Sequence, residues 1–262
     1  MLNILLPSLP YQRLIDPMWE EEAAVARQHG HNVNLFDDGQ QRIYQPINPQ
    51  WPTLYRGWML TARDYQQLTD LTPLLVAPAD YLASHQASGW YEALAGFTPR
   101  SEIVAAGAAA ETVAAMVRQR GQCFVKGLSK SFGAQSVVGS LADFQALLGQ
   151  QAIEPAERLF VREYLELAAG PEQRFFVVRG EVFAAGSQTF PEALRPALIA
   201  LERRWFCTVD VAYDAAGQPW IIEVGDGQVS DIKEWTVAEL YQSAVAHLAA
   251  LATHYKSQSN AE

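Results

Sequence analysis

At 262 residues, with 49% hydrophobic and 18% charged content, the chain is long enough for one large core or two modest ones and has the composition of a globular protein. A formal net charge of -10 argues against non-specific binding to nucleic acid or to an anionic membrane, although a local basic cleft is compatible with it. No run reaches the roughly 18 apolar residues of a membrane span, and MLNILLPSLP lacks the basic start and cleavage site of a signal peptide, so a cytoplasmic protein is expected.

In chain order, Asn3 to Pro7 reads as a short buried strand. Residues 16–29 read as a helix whose acidic start suits the helix dipole and which Gly30 stops. His31 to Phe36 returns as a strand, residues 37–52 read as loop, and Thr53 to Arg56 reads as a third strand. A helix over Ala62 to Leu71 and a fourth strand over Leu74 to Ala77 complete a small α/β layer. Residues 78–99 read as a mixed connector. An Ala-rich helix follows over residues 107–120, ended by Gly121. Strands are expected at Cys123 to Lys126, Gln135 to Val138 and Arg158 to Leu165, with a helix capped by Ser140 and Asp143 between the last two. Two hairpins come next: Gln173 to Val178 with Glu181 to Ala185, and Trp205 to Tyr213 with Pro219 to Val224. A last helix begins near Thr236, with Glu239 at the reciprocal cap position, and the tail from Lys256 is expected to fray. Cys123 and Cys207 lie in apolar runs without disulfide or metal spacing, so buried, reduced thiols are expected.

Three clusters could carry chemistry. The chain has four lysines, and two of them, Lys126 and Lys130, fall in CFVKGLSKSFG beside Gly127, Ser129 and Gly133. A lysine leaving an apolar strand next to a Gly/Ser loop supplies an ammonium group and approachable backbone N–H donors, which a phosphate needs. The Walker pattern is absent, and a solvent-facing turn would carry the same residues. Asp210, Glu223 and Asp226 interrupt apolar strands on either side of the DAAGQ turn. Carboxylates in such strands are costly unless paired or bound to a cation, and hard oxygens close together suit Mg²⁺ held with a triphosphate. An outward-facing acidic edge of a half-buried hairpin is the alternative. Glu163, Tyr164, Leu165 and Glu166, with Arg174 in the next strand, could meet a purine, a ribose and a phosphoryl group, or could simply form surface ion pairs.

The order of these elements resembles the ATP-grasp superfamily over roughly residues 85–250, and YRGWML at 55–60 and IIEVGDGQVSDI at 221–232 resemble a bacterial and phage branch of it. The resemblance implies an α/β, specifically α+β ATP-grasp, fold. A small N-terminal α/β domain over residues 1–84 would precede an ATP-grasp domain over residues 85–256. That domain would comprise a lid subdomain at 105–163 and a central antiparallel-sheet subdomain at 164–256, clasping the nucleotide. ATP and Mg²⁺ are implied as cofactors. Lys126 would contact phosphate beneath a covering loop that ends at Gly133, with Lys130 as a second cation. The segment from Arg162 through Glu163, Tyr164 and Leu165 would receive adenine, Glu166 the ribose, and Arg174 the transferred phosphate. Asp210 and Glu223 would hold the metal. The superfamily usually has asparagine two residues after the glutamate. Gly225 stands there in this chain, leaving Asp226 as a substitute ligand. The implied reaction is Mg-ATP-dependent ligation of a small-molecule or peptide carboxylate to an amine or thiol through an acylphosphate, with a homodimer compatible. A non-catalytic ATP-binding module and an ATP-dependent phosphotransferase stand as alternatives.

Overall fold

The computed structural model describes residues 1–259. Strand β1 (Asn3–Pro7) is wholly buried, and a short 3-10 turn (Pro17–Trp19), capped by the Asp16 carboxylate, leads into helix α1 (Glu20–Gln28). Gly30 turns the chain out at φ +76°, a conformation that costs glycine little. Strands β2 (Asn32–Asp37), β3 (Arg42–Tyr44) and β4 (Thr53–Tyr55) follow, then α2 (Ala62–Leu71), whose cap is the Thr61 side chain accepting from the Asp64 N–H. The fourth strand of the first sheet is therefore Arg42–Tyr44, inside the expected loop, and not Leu74 to Ala77. That run is hemmed by Pro73 and Pro78, and a single bond from the Leu75 N–H to the Thr53 carbonyl replaces a ladder.

The expected connector at 78–99 is two helices, α3 (Pro78–His85) and α4 (Ala87–Leu94), after which β5 (Ser101–Ala105) was not anticipated. Helix α5 (Ala110–Arg120) closes on Gly121 in the left-handed conformation. Strand β6 (Cys123–Gly127) comes next. The expected strand at Gln135 to Val138 is mostly a 3-10 turn (Gly133–Ser136) before a two-residue β7 (Val137–Val138). Helix α6 (Leu141–Gln150) has the expected Ser140 cap, and β8 (Arg158–Glu163) follows. Strands β9 (Gln173–Val178) and β10 (Glu181–Phe183) join through Arg179 and Gly180, both at positive φ, as a two-residue hairpin turn requires. Strands β11 (Cys207–Tyr213) and β12 (Pro219–Asp226) precede α7 (Val237–Leu240), a π-helical turn (Tyr241–Val245) and α8 (Ala246–Ser259). Thr236 and Glu239 form the full reciprocal cap. The helix continues past Lys256, and the rest of the tail lies outside the described residues. Both cysteines are free and buried, and no described helix is long and apolar enough to cross a membrane.

The chain divides into two compact units. The first comprises Met1–Leu82, Gln173–Val209 and the stretch from Gly225 onward, and the second comprises Ala83–Glu172 and Asp210–Val224. The front α/β layer is thus one part of a larger unit. Its sheet runs in the order β3-β2-β1-β4, with β1 parallel to both β2 and β4 and β3 antiparallel at the edge. One core joins Leu2, Ile4 and Leu54 from this layer to Phe176 and Phe206 and to Leu240, Val245 and Leu248. Beneath it lies a polar knot. The Arg56 guanidinium donates to both oxygens of Glu22 at 2.8 and 3.1 Å and to the Gly227 and Ser230 carbonyls. The Tyr241 hydroxyl donates to the same Glu22 at 3.0 Å, and Arg56 is 1% exposed.

The second unit holds the antiparallel sheet β5-β8-β6-β7. Its inner face carries Cys123, Val125, Leu159 and Val161 against Val113 and Met116 of α5 and Phe144 and Leu147 of α6. The remaining sheet has the order β10-β9-β11-β12.

Candidate functional site

The site is built on the other face of the β6–β8 sheet. Strand side chains alternate, so the residues between the core positions, Phe124 and Lys126 on β6 and Phe160 and Arg162 on β8, share the opposite face. The register pairs Phe124 with Arg162 and Lys126 with Phe160. Each cross-strand pair sets a cation over a ring: the Arg162 guanidinium lies 4.7 Å from the Phe124 centroid, and the Lys126 ammonium 5.9 Å from that of Phe160. Lys126 is 4% exposed, and its ammonium donates to the Glu223 carboxylate on β12, forming an ion pair. Arg162 is 8% exposed and donates from one terminal nitrogen to the Ile222 carbonyl at 3.0 Å.

These side chains line a cleft of about 700 Å³ within the second unit. Ser129, Lys130 and Ser131 border it from the turn after β6, where the Gly127 N–H donates to the Lys130 carbonyl at 3.0 Å. Tyr164, Leu165 and Glu166 border it from the segment after β8, and Ile222 and Glu223 from β12. That segment is pinned. The Ala215 N–H donates to the Glu166 carbonyl at 3.1 Å, and the Ala168 N–H donates to the Tyr213 carbonyl at 2.8 Å.

Of the residues singled out from the sequence, Lys126, Lys130, Tyr164, Leu165, Glu166 and Glu223 come together here. Glu163 does not, because alternation along β8 turns it away from Arg162. Its carboxylate meets Arg120 at 3.3 Å and borders a separate hollow with Trp220 and Asp214. Gly133 opens the 3-10 turn before β7 at φ +60° and does not border the cleft. Asp210 is buried on β11, the strand beside β12. Arg174 belongs to the first unit, where its guanidinium pairs with Asp231 and its backbone N–H donates to Glu234. Arg162, which opens the segment implied to receive adenine, lines the cleft as well, and Phe124, Glu172 and Ile222 line it without having been singled out. The alternation in CFVKG and RLFVRE carried the signal for Phe124 and Arg162. Glu172 follows a segment without sequence periodicity, which offers none.

Asp226 does not complete a metal cage. Among the described residues, no three His, Cys, Asp or Glu side chains gather closely enough to hold an ion. Asp226 is fully buried in the first unit, one oxygen accepting from the Gln228 backbone and side chain, the other without a partner. Burial pushes its carboxyl up to about 7, while the bonds from Gln228 and the charges of Arg204 and Arg56 pull the other way. A raised carboxylate destabilises the fold as it ionises. Its contribution is intact below about pH 4 and falls by up to roughly 1.4 kcal/mol per pH unit until about pH 7. Asp226→Asn, which cannot ionise, should therefore gain on the wild-type chain as pH rises from 5 to 8 in urea unfolding. Parallel pH profiles for the two proteins would remove the assignment.

Gly225 is a packing requirement. A Cβ there would lie 2.6 Å from the Thr208 hydroxyl and 2.8 Å from that of Ser230, two groups hydrogen-bonded to each other at 2.9 Å.

Residues 57–248 match a family model described as an ATP-grasp domain, the third family of its clade. No curated protein matches. Among solved structures, the D-alanine-D-alanine ligase from Coxiella burnetii superposes with a TM-score of 0.68 at 12% identity, covering 99% of this chain and 97% of that one. D-cycloserine synthetase DcsG gives 0.66 at 12% identity, with 94% and 99% covered. A RimK domain ATP-grasp protein from Sphaerobacter thermophilus gives 0.63 at 15% identity, with 96% and 99% covered. At these identities the likeness is one of fold, and that fold is the α/β ATP-grasp architecture.

Proposed function

The chain belongs to this ATP-grasp domain family, and from that membership we propose that it is a Mg-ATP-dependent ligase. It joins a carboxylate to an amine, or to a thiol, through an acylphosphate. The observation that carries this reading is the single cleft where an enclosed ammonium, a half-exposed carboxylate and apolar walls meet. Phe124 and Ile222 suit the faces of a base, Lys126 and Lys130 suit the phosphates, and Glu166 or Glu172 the ribose. Glu223, with Asp210 on the neighbouring strand, suits a hard cation. Two carboxylates are few for such an ion, so the phosphate oxygens would complete its shell. When bound, Mg²⁺ would supply charge neutralisation at the phosphates.

In this reaction a substrate carboxylate oxygen attacks the γ-phosphorus and ADP leaves. The incoming amine then displaces phosphate from the acyl carbon. The chain supplies position and charge and forms no covalent bond. Lys126 holds the phosphates, and Arg174 is assigned to the transferred phosphoryl group on its place in the sequence order. The Gly127–Gly133 turn would cover the phosphates and keep water from the acylphosphate. Substrates are small molecules or peptides, in line with the names of the D-alanine-D-alanine ligase and the D-cycloserine synthetase. A cytoplasmic setting fits the demand for ATP and the two free thiols.

Calorimetric titration of ATP with and without Mg²⁺ tests the cleft. The wild-type chain should bind far more tightly with the metal, and Glu223→Gln should lose most of that difference along with phosphate release. Identical isotherms for the two proteins would defeat the reading. Incubation with ATP and pooled amino acids separates its rivals. An amide product supports ligation, a mass gain of one phosphoryl group marks a phosphotransferase, and binding without phosphate release marks a non-catalytic module.

A further inference from the structure

We propose that a hollow at the tip of the β9–β10 hairpin is a second small-molecule site, one that takes a free amino acid with an apolar side chain. The hollow has a volume of about 430 Å³, within the range of small-ligand pockets. Every residue around it belongs to the first unit, whereas the nucleotide cleft lies within the second.

The hairpin turn is a place where local backbone preference is overridden. Its two residues, Arg179 and Gly180, stand at φ +52° and +84°. Gly180 suits this, and a Cβ there would lie 3.2 Å from the Glu202 Cα. The first position of such a turn favours asparagine, aspartate or glycine, and an arginine there is strained. The strained residue is held on three sides. Its backbone N–H donates to the Arg204 carbonyl at 3.0 Å, its Nη1 donates to the Arg203 carbonyl at 2.9 Å, and its guanidinium lies 5.1 Å from the Trp205 ring centroid. Strain kept at so firmly placed a side chain points to a position chosen for what that side chain meets. Arg203 takes one of the five guanidinium donors, and a fixed fork of this kind matches a carboxylate through two parallel bonds.

The opposite charge stands across the hairpin. Glu181 is the register partner of Val178, so the two side chains share one face, and both border the hollow. A Glu181 oxygen meets His247 Nε2 at 3.2 Å, and the His247 ring is itself packed 5.3 Å from that of Phe183. Val178 and Leu251 add apolar wall, with Trp205 and Tyr255 set edge to face at 5.5 Å, and His254 completes the lining. A guanidinium, a carboxylate and an apolar wall in one hollow match the carboxylate, ammonium and side chain of an amino acid. A plain acid would bring its charge to Glu181 with no ammonium to offset it, and a plain amine would meet Arg179 with no carboxylate.

Calorimetric titration of phenylalanine, each enantiomer in turn, is compared with phenylpropionate and phenylethylamine, each of which lacks one of the two charges. One enantiomer at least should bind, and each analogue should bind about tenfold more weakly or worse. Arg179→Asn should lose the preference over phenylethylamine, and Glu181→Gln the preference over phenylpropionate. Asparagine suits the turn better than arginine, so the first variant should unfold in urea no earlier than the wild-type chain. Phenylalanine binding that is unchanged in Arg179→Asn would place the amino acid elsewhere on the chain and overturn the site. Equal affinity for phenylalanine and either analogue, or no binding by any of the three, would overturn it as well. ATP titrated on the same preparation reads the nucleotide cleft separately, so the failure of one site is distinguishable from the failure of the other.

Discussion

Lys126→Met is expected to slow ATP-dependent phosphate release on the order of 10²-fold, the scale on which a single preorganised charge donor is lost from an active site. The ammonium is enclosed, seated over Phe160 and held by Glu223, so it needs no reorganisation to meet a phosphate. Methionine preserves most of the stem's packing and removes only the charge. Stability should move far less than activity. The partner Glu223 is 36% exposed, and water can take over its solvation once the ammonium is gone. Phosphate release and urea unfolding on one preparation check both halves. A variant that keeps activity within threefold of the wild-type chain would show that the ammonium does not serve the phosphates.

Arg56→Ala is expected to cost about 3–5 kcal/mol of stability, because it strands the Glu22 carboxylate in a buried site. Glu22 is 5% exposed and would keep only the Tyr241 hydroxyl, while the Gly227 and Ser230 carbonyls would each lose a donor. Pairing Arg56→Met with Glu22→Gln removes both charges together, and the double variant should recover much of the loss. Urea unfolding of the single and double variants provides the measurement. A single variant that loses less than 1 kcal/mol would mean that the knot is ornamental.

The elements that could be read from the sequence were those whose periodicity and caps agreed. Ser140 with Asp143 and Thr236 with Glu239 marked helix starts through hydrogen bonds between near neighbours, and both caps are present. Strands β1 and β9 stood out as apolar runs with turn residues at their ends. What failed depended on partners far away in the chain. Leu74 to Ala77 has the composition of a strand, but Pro73 and Pro78 bracket it and the edge strand β4 gives it only one bond. Residues 78–99 read as a mixed connector, yet they hold two helices, and Gly89 lies in the second of them. That glycine is there because a Cβ would lie 2.4 Å from the Ala83 backbone, a contact invisible without the fold.

The site divides in the same way. The lysines on and just after β6 and the glutamate on β12 were legible as residue types in unfavourable company. Asp226 was misleading: its burial is real, but Gln228 explains it locally.

The first unit draws on three separated stretches of chain, and its core joins Leu2 and Ile4 to Leu248 and Ala252. On the ribosome the front sheet emerges early, with one flank of its apolar surface uncovered until the last helix has been made. At roughly 5–20 residues per second that wait is on the order of ten seconds or more, long enough for unprotected strands to find wrong company. The intervening second unit, whose own core draws wholly on residues 104–161, can close in the meantime. Synthesis therefore closes the core of the second unit first, while the N-terminal layer, though its strands are made earlier, waits longest for its cover and is the part most in need of a chaperone.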